Sequence, residues 1–359
     1  MICLGALLGI GSLHLYDSKK INPEDFALRR EDMRAHESWN GKQITAASVP
    51  EMQHVLKGIG GGPEDFVLWL GNSQLHTINQ PRPYDHLAPY WLKAAGGLPE
   101  GTIPLGFSLP NANLQEYFGI AAAVLGKVPV RALVLGLVFD DLREDDLRSD
   151  FASFLTQPDR MALSRRQIGG DMLARLAAPP SDEGGQSDDA GLKGFAQKYL
   201  EDRLNGWLGA AWPLWAERPN LRARALTDLF LFRNYVLGIR ATTVRRMIPI
   251  RYERNMGALR AILQAASEKG VPVITYIVPL RPDVPAPYDV AQYSSWKAEM
   301  ARLAAEDGVR HLNLEGLVPG SDWGWYAEGE VDFMHFGGAG HVRLAEAIGS
   351  HVRELVSQR

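Results

Sequence analysis

Three side chains, far apart in the chain, are of types that together transfer acyl groups. Ser73 lies three residues past the last apolar residue of the run FVLWL (residues 66–70), preceded by Gly71 and Asn72 and followed by Gln74 and the helical-looking LHTINQ. A serine there sits on a tight strand-to-helix turn, which lifts its hydroxyl clear of a sheet into the crevice at the strands' carboxyl ends. A plain helix N-cap would use the same residue at the same place. Near the other end the chain reads VDFMHFGGAGH over residues 331–341, before the helical VRLAEAIGSHV. Asp332 and His335, three apart, can lie side by side on one turn, the carboxylate holding one ring nitrogen while the other faces a nucleophile. A serine hydroxyl is inert at neutral pH until such a base takes its proton.

The elements that must position these residues follow from the apolar runs. Short, β-branched-rich stretches at residues 66–70, 102–107, 130–138, 271–278 and 309–314 alternate with helix-period segments, the pattern of crossover units and a parallel sheet. The clearest helix covers residues 254–268, with Met256, Leu259, Leu263 and Ala266 on one stripe and Gly270 as its stop; another runs near 293–305, with Trp296, Met300 and Leu303 inward. This gives an α/β fold of about five parallel strands, built from residues 21–141 and 249–359. Residues 142–248 carry helical periodicity and no strand signal, and read as a large helical insertion. Within it, residues 178–191 (APPSDEGGQSDDAG) bury too little apolar surface to order themselves and read as a flexible loop. An aromatic stripe follows, including Trp207, Trp212 and Trp215, which suits a substrate platform or the seam of the insertion.

Composition narrows the classes. At 359 residues, with 46% hydrophobic and 22% charged residues, the chain can bury a full core and is neither disordered throughout nor a polytopic membrane protein. A formal net charge of −4 speaks against nucleic acid as a partner. The single cysteine, Cys3, excludes an internal disulfide framework and a cysteine zinc site. Neither HExxH spacing nor a phosphate-binding glycine loop occurs, so no metal and no cofactor is expected. Residues 1–16 carry no acidic or basic side chain apart from His14, and form too short a run to span a bilayer at about 20 residues. The run reads either as the end of a membrane anchor covering residues 1–20 or as a buried first element. The first reading places the protein outside the cytoplasm, in the manner of a Gram-negative envelope protein.

Gly71-Asn72-Ser73 after the first strand, together with Asp332-x-x-His335 followed by Gly340-His341, resembles the first and last blocks of the SGNH, or GDSL-type, hydrolase superfamily. The resemblance implies a three-layer, flavodoxin-like α/β fold in which Ser73 is nucleophile, His335 base and Asp332 its orienter. The family completes an oxyanion hole with a glycine N–H and an asparagine side chain. Here Asn111 stands at the glycine position, tolerating a left-handed backbone, and Asp140 stands where asparagine is expected. An ionised carboxylate would repel an oxyanion. Asp140 therefore either points away, leaving Asn111, Asn113 or Gln74 to donate, or is protonated, or hydrolysis is weak. Capping of the insertion's first helix is the structural role open to Asp140 and Asp141.

The apolar N-terminus, the GNSQ block, the altered third block and the insertion are similar to the D-alanyl transfer protein (DltD) branch and related envelope-polymer O-acylation proteins. That likeness implies movement of a D-alanyl or acetyl group to or from an envelope glycan or lipid through acyl-Ser73, beside a membrane-bound O-acyltransferase or an acyl carrier. A soluble carbohydrate or lipid esterase and a non-catalytic partner of such an acyltransferase are the alternatives. Among other residues, His76 lines the pocket or contacts substrate, and Arg281 holds an anionic or carbonyl group or forms a structural ion pair. His341 packs at a helix start or acts as a second base. Arg245, Arg246 and Arg251 face lipid headgroups or solvent.

Overall fold

The structure, a computed structural model, describes residues 36–59, 62, 64–177, 243–325 and 331–357. The N-terminal apolar run, the 178–191 loop and the aromatic stripe lie outside the described residues. Six parallel strands form the central sheet: β3 (Thr45–Ala46), β4 (Asp65–Gly71), β5 (Thr102–Ser108), β6 (Val130–Leu137), β7 (Val273–Ile277) and β8 (Arg310–Asn313). Their spatial order is β3-β5-β4-β6-β7-β8. Without β3 this is the flavodoxin-like 2-1-3-4-5 order, whose connections reverse between β4 and β6 and open a crevice at their carboxyl ends. The sixth strand, two residues pairing Thr45 with Gly106 and Ala46 with Phe107, carries too short an apolar run to stand out in the sequence.

Each central strand is apolar on both sides because helices cover both faces. Phe66, Leu68 and Leu70 of β4 enter one core, and Val67 and Trp69 enter the other. On the first face lie α1 (Val49–Ile59), α4 (Leu114–Leu125), α8 (Pro249–Glu268) and α9 (Val290–Glu306). Pro249 opens α8 at a position where its missing N–H is harmless, and Gly270 follows with φ 65°. The same core takes Phe151 and Phe154 of α5 (Phe151–Phe154), Leu163 of α6 (Gln157–Ser164) and Met172 of α7 (Gln167–Ala177). This stretch of the expected insertion is thus continuous with the core of the α/β body. On the second face lie α3 (Ala88–Ala94), α10 (Gly338–Ser357) and the antiparallel pair β9 (Trp323–Trp325) and β10 (Val331–Phe336). A separate small hairpin, β1 (Ser38–Trp39) with β2 (Lys42–Gln43), precedes the sheet. Among the described residues no helix is long and apolar enough to cross a membrane.

Beneath the crevice the fit is close. Trp69 donates its indole N–H to the Tyr276 hydroxyl at 3.1 Å, and a Cβ on Gly136, between them in the sheet, would stand 2.7 Å from that oxygen. A side chain at 136 would have to displace the Tyr276 ring from its place beside Trp69.

Candidate active site

The backbone leaves β4 at Gly71 and turns at once into α2 (Ser73–His76). Asn72 caps this short helix, its Oδ1 accepting from the N–H of Gln74 at 3.0 Å. Ser73, 8% exposed, therefore stands on the first helical residue at the sheet's carboxyl edge. His335 Nε2 lies 2.9 Å from Ser73 Oγ, and His335 Nδ1 lies 3.0 Å from Asp332 Oδ2. With the carboxylate accepting from Nδ1–H, Nε2 carries a lone pair toward the serine hydroxyl. Three side chains separated by up to 262 positions thus form one hydrogen-bonded line.

The route by which Asp332 and His335 meet differs from the single turn expected from their spacing. Both belong to β10, whose register against β9 slips between Val331 and Phe336. Asp332 Oδ1 accepts the N–H groups of Met334 and His335 at 2.9 and 3.0 Å. This local carboxylate-to-backbone turn bends the strand, and it brings the two side chains to one side, where a regular strand would place residues three apart on opposite faces.

Asn79 completes the arrangement and was not legible beforehand. Its amide donates to Asp332 Oδ2 at 2.7 Å, so the carboxylate accepts four hydrogen bonds. Burial raises the Asp332 carboxyl, but the charge of His335 and these hydrogen bonds outweigh it and hold the group below the ordinary carboxylate value. Gly324 of β9 makes room for Asn79: a Cβ there would lie 2.0 Å from the Asn79 side-chain carbon.

Several expected binding residues brace the site in place of facing a ligand. Gln74 donates through Nε2 to the carbonyls of Pro279 and Met334 at 3.0 and 2.9 Å, tying α2 to β10. Its amide is engaged and does not serve an oxyanion. Asn113 caps α4, accepting from the N–H groups of Gln115 and Glu116, and donates to the Asp146 carbonyl at 2.7 Å; it too is occupied elsewhere. Arg281, 4% exposed, clamps Asp283 and donates to the carbonyls of Gly324 and Asp332 at 2.7 and 3.2 Å, with its guanidinium over the Trp325 ring. These bonds tie it to β9 and to the strand that carries Asp332.

Asp140 is turned to cations. Arg143 pairs with it at 3.1 Å, Arg245 pairs with its other oxygen, and the Tyr288 hydroxyl donates to that oxygen at 3.1 Å. Of the alternatives for this residue, the structure selects a paired carboxylate in a turn (Asp140–Leu142) after β6. Arg245 also lies over the Phe333 ring of β10, at 5.0 Å. Asn111 adopts φ 46°, the left-handed conformation expected at its position after β5.

Two further histidines are neutral. His76 Nδ1 lies 2.9 Å from Ser108 Oγ at the end of β5, and burial, with the charge of His335 adding to it, pushes its pKa down to about 3. His341 donates from Nε2 to the Thr77 carbonyl at 2.9 Å and accepts the Ala88 N–H at Nδ1, at 3.2 Å. Burial holds it down to about 4. It joins the start of α10 to the segment bearing Asn79 and is not a second base. His311 lies within β8 against Thr275 Oγ1. Arg251 donates to the Arg143 carbonyl, while Arg246 is largely exposed.

No protein-family model matches the chain, and neither does any curated protein. Among solved structures it is similar to a proposed arylesterase from Agrobacterium tumefaciens, at 12% identity over 81% of this chain and 99% of the other, with a TM-score of 0.36. It is also similar to a GDSL-like lipase from Bacteroides thetaiotaomicron, at 10% identity over 86% and 98% with a TM-score of 0.41. A proposed acylhydrolase from Bacteroides fragilis gives 9% identity over 87% and 100%, with a TM-score of 0.39. At such values the likenesses carry no chemistry across, and what this chain can do rests on its own line of Ser73, His335 and Asp332.

Proposed function

We propose that this chain is a serine-dependent esterase or acyltransferase working through acyl-Ser73. The observation that carries the reading is the pair of contacts from His335, 2.9 Å to Ser73 Oγ and 3.0 Å to Asp332. As Ser73 Oγ attacks an ester carbonyl, His335 Nε2 takes its proton, and Asp332 stabilises the imidazolium that forms without itself becoming protonated. The bond to the leaving alkoxide then breaks, and that oxygen takes the proton from Nε2. An acceptor hydroxyl or a water repeats the steps in reverse and frees the serine. The N–H of Ser73, first in α2 and without an acceptor inside the helix, supplies one oxyanion donor, and the turn at Asn111 is the second place from which a backbone donor would come.

The finer reading is a D-alanyl or acetyl group moved to or from a cell-envelope glycan or lipid outside the cytoplasm. A membrane-bound O-acyltransferase or an acyl carrier would be the partner, and residues 1–20 the anchor. The apolar N-terminal run and the order of the sequence blocks support it. A fluorophosphonate probe tests the chemistry: wild type should be labelled and Ser73→Ala should not, and equal labelling of the two would end the covalent reading. In unlabelled enzyme acylated at Ser73 by an activated ester, partition of the acyl group between water and added glycan or lipid hydroxyls then separates transfer from hydrolysis.

A further inference from the structure

A second polar cluster fills the place where the sheet connections reverse, between β4 and β6. Asn72, whose Oδ1 caps the nucleophile's helix, donates through Nδ2 to Asp141 Oδ1 at 3.3 Å. Asp141 Oδ2 lies 3.2 Å from the hydroxyl of Tyr117 on α4. All three residues are buried, with Asp141 2% exposed. The charged and titratable groups around the cluster are anions or hydroxyls: Asp140 on the same turn, Glu144 just beyond it, Glu116 on α4 and Tyr276 on β7. The cations nearby are taken by other acids, Arg143 and Arg245 by Asp140 and Arg148 by Glu116. Among the described residues no cation pairs with Asp141.

We propose that Asp141 is a positioning residue that works as a neutral acid, its proton lying between Oδ2 and the Tyr117 oxygen, so that Asn72 and the turn presenting Ser73 are held by a network without net charge. The inference rests on Ser73 being the nucleophile. An ionised carboxylate there would have two neutral donors and no counter-charge, the situation in which a buried acid keeps its proton. In agreement, burial above all, with the charge of Asp140 adding to it, holds the Asp141 carboxyl well above the ordinary range. A protonated carboxyl and a side-chain amide offer the same pattern, one acceptor oxygen and one donor. Asparagine should therefore replace Asp141, whereas it cannot replace a carboxylate required as an anion.

The test compares wild type, Asp141→Asn and Asp141→Ala in steady-state ester turnover and in the rate of fluorophosphonate labelling. Asp141→Ala leaves the buried Asn72 amide without its acceptor and should lower kcat and the labelling rate about tenfold to a hundredfold, with KM little changed. Asp141→Asn should restore the rate to within about threefold of wild type. The ratio of the Asn variant's kcat to that of wild type should climb as the pH is raised, since only wild type can lose the proton. Two outcomes overturn the proposal: an Asn variant as slow as the Ala variant, or an Ala variant labelled at the wild-type rate. If wild type itself is not labelled at Ser73, the nucleophile reading falls as well, which separates that failure from the other two.

Discussion

Two buried aspartates hydrogen-bond to the groups that surround Ser73, and folding treats them in opposite ways. Asp332 accepts four hydrogen bonds, two of them from the backbone and the ring of His335, and its carboxyl is held down. Asp141 meets an amide and a phenol beside a second acid, and its carboxyl is pushed up. Burial is nearly the same, at 0% and 2% exposure. What differs is the number of donors and the sign of the nearest charge, and these set the direction in which each carboxyl is shifted. In the proposed reaction Asp332 stabilises the charge that forms on His335, and the network proposed for Asp141 works only while uncharged.

That contrast can be broken by substitution. Ser73→Ala removes the group both aspartates serve, and should cost on the order of 10⁶ in kcat, measured with an activated ester. Asp332→Asn should cost roughly 10⁴, because an amide cannot stabilise the imidazolium and favours the wrong tautomer. The same change at Asp141 should be nearly silent, and equal losses at the two positions would erase the distinction drawn here. Asn79→Ala removes one of the four donors to Asp332. It should lower kcat about tenfold with KM unchanged, and should move the acid limb of the pH–rate profile upward, since a carboxylate with fewer donors is a stronger base.

The smallest expected effect on rate, and a clear one on stability, concerns His341. Its folded pKa of about 4 lies below the ordinary 6.5, so the unfolded chain binds the extra proton first. The stability this group contributes is complete above pH 6.5 and declines as the pH falls toward 4, by on the order of 3 kcal/mol. His341→Gln should flatten that part of a thermal-melting curve taken against pH. An unchanged slope would show that His341 is protonated in the folded protein. Asp332 adds in the same direction further down: its stabilisation is present above the ordinary carboxylate value and is lost as the pH falls through its lowered folded value.

Much of the architecture was legible because strands enclosed on both faces are written as unbroken apolar runs. FVLWL and VRALVLGLV could be little else. The two-residue β3 left no such mark. Ser73, His335 and Asp332 stood out by residue type and local setting, and the structure brings them together. The errors share one cause: a polar side chain declares its chemistry in the sequence but not its partner. Gln74 and Asn113, two of the possible oxyanion donors, each bond to a backbone carbonyl 33 to 260 positions away, and Arg281 takes the structural ion pair of its two alternatives, with Asp283. Asn79 lay hidden in the polar segment INQPRP, where nothing distinguishes a carboxylate's donor from a loop residue. The bend of β10 was missed because spacing three fits a helical turn, and only the Asp332-to-backbone bonds reveal another way of bringing i and i+3 together.

Nucleophile and base stand on supports of unequal permanence. Ser73 follows a strand flanked on both sides in the six-stranded sheet, whereas His335 belongs to a strand that, among the described residues, pairs with β9 and not with that sheet. Opening of the β9–β10 pair alone would part imidazole from hydroxyl while the sheet stayed folded, so the line of Ser73, His335 and Asp332 can come apart at a lower free-energy cost than the whole protein. Amide protons of β10 should accordingly exchange with solvent ahead of those in β4, and an acyl group fixed on the serine should slow that exchange if it bridges the two supports.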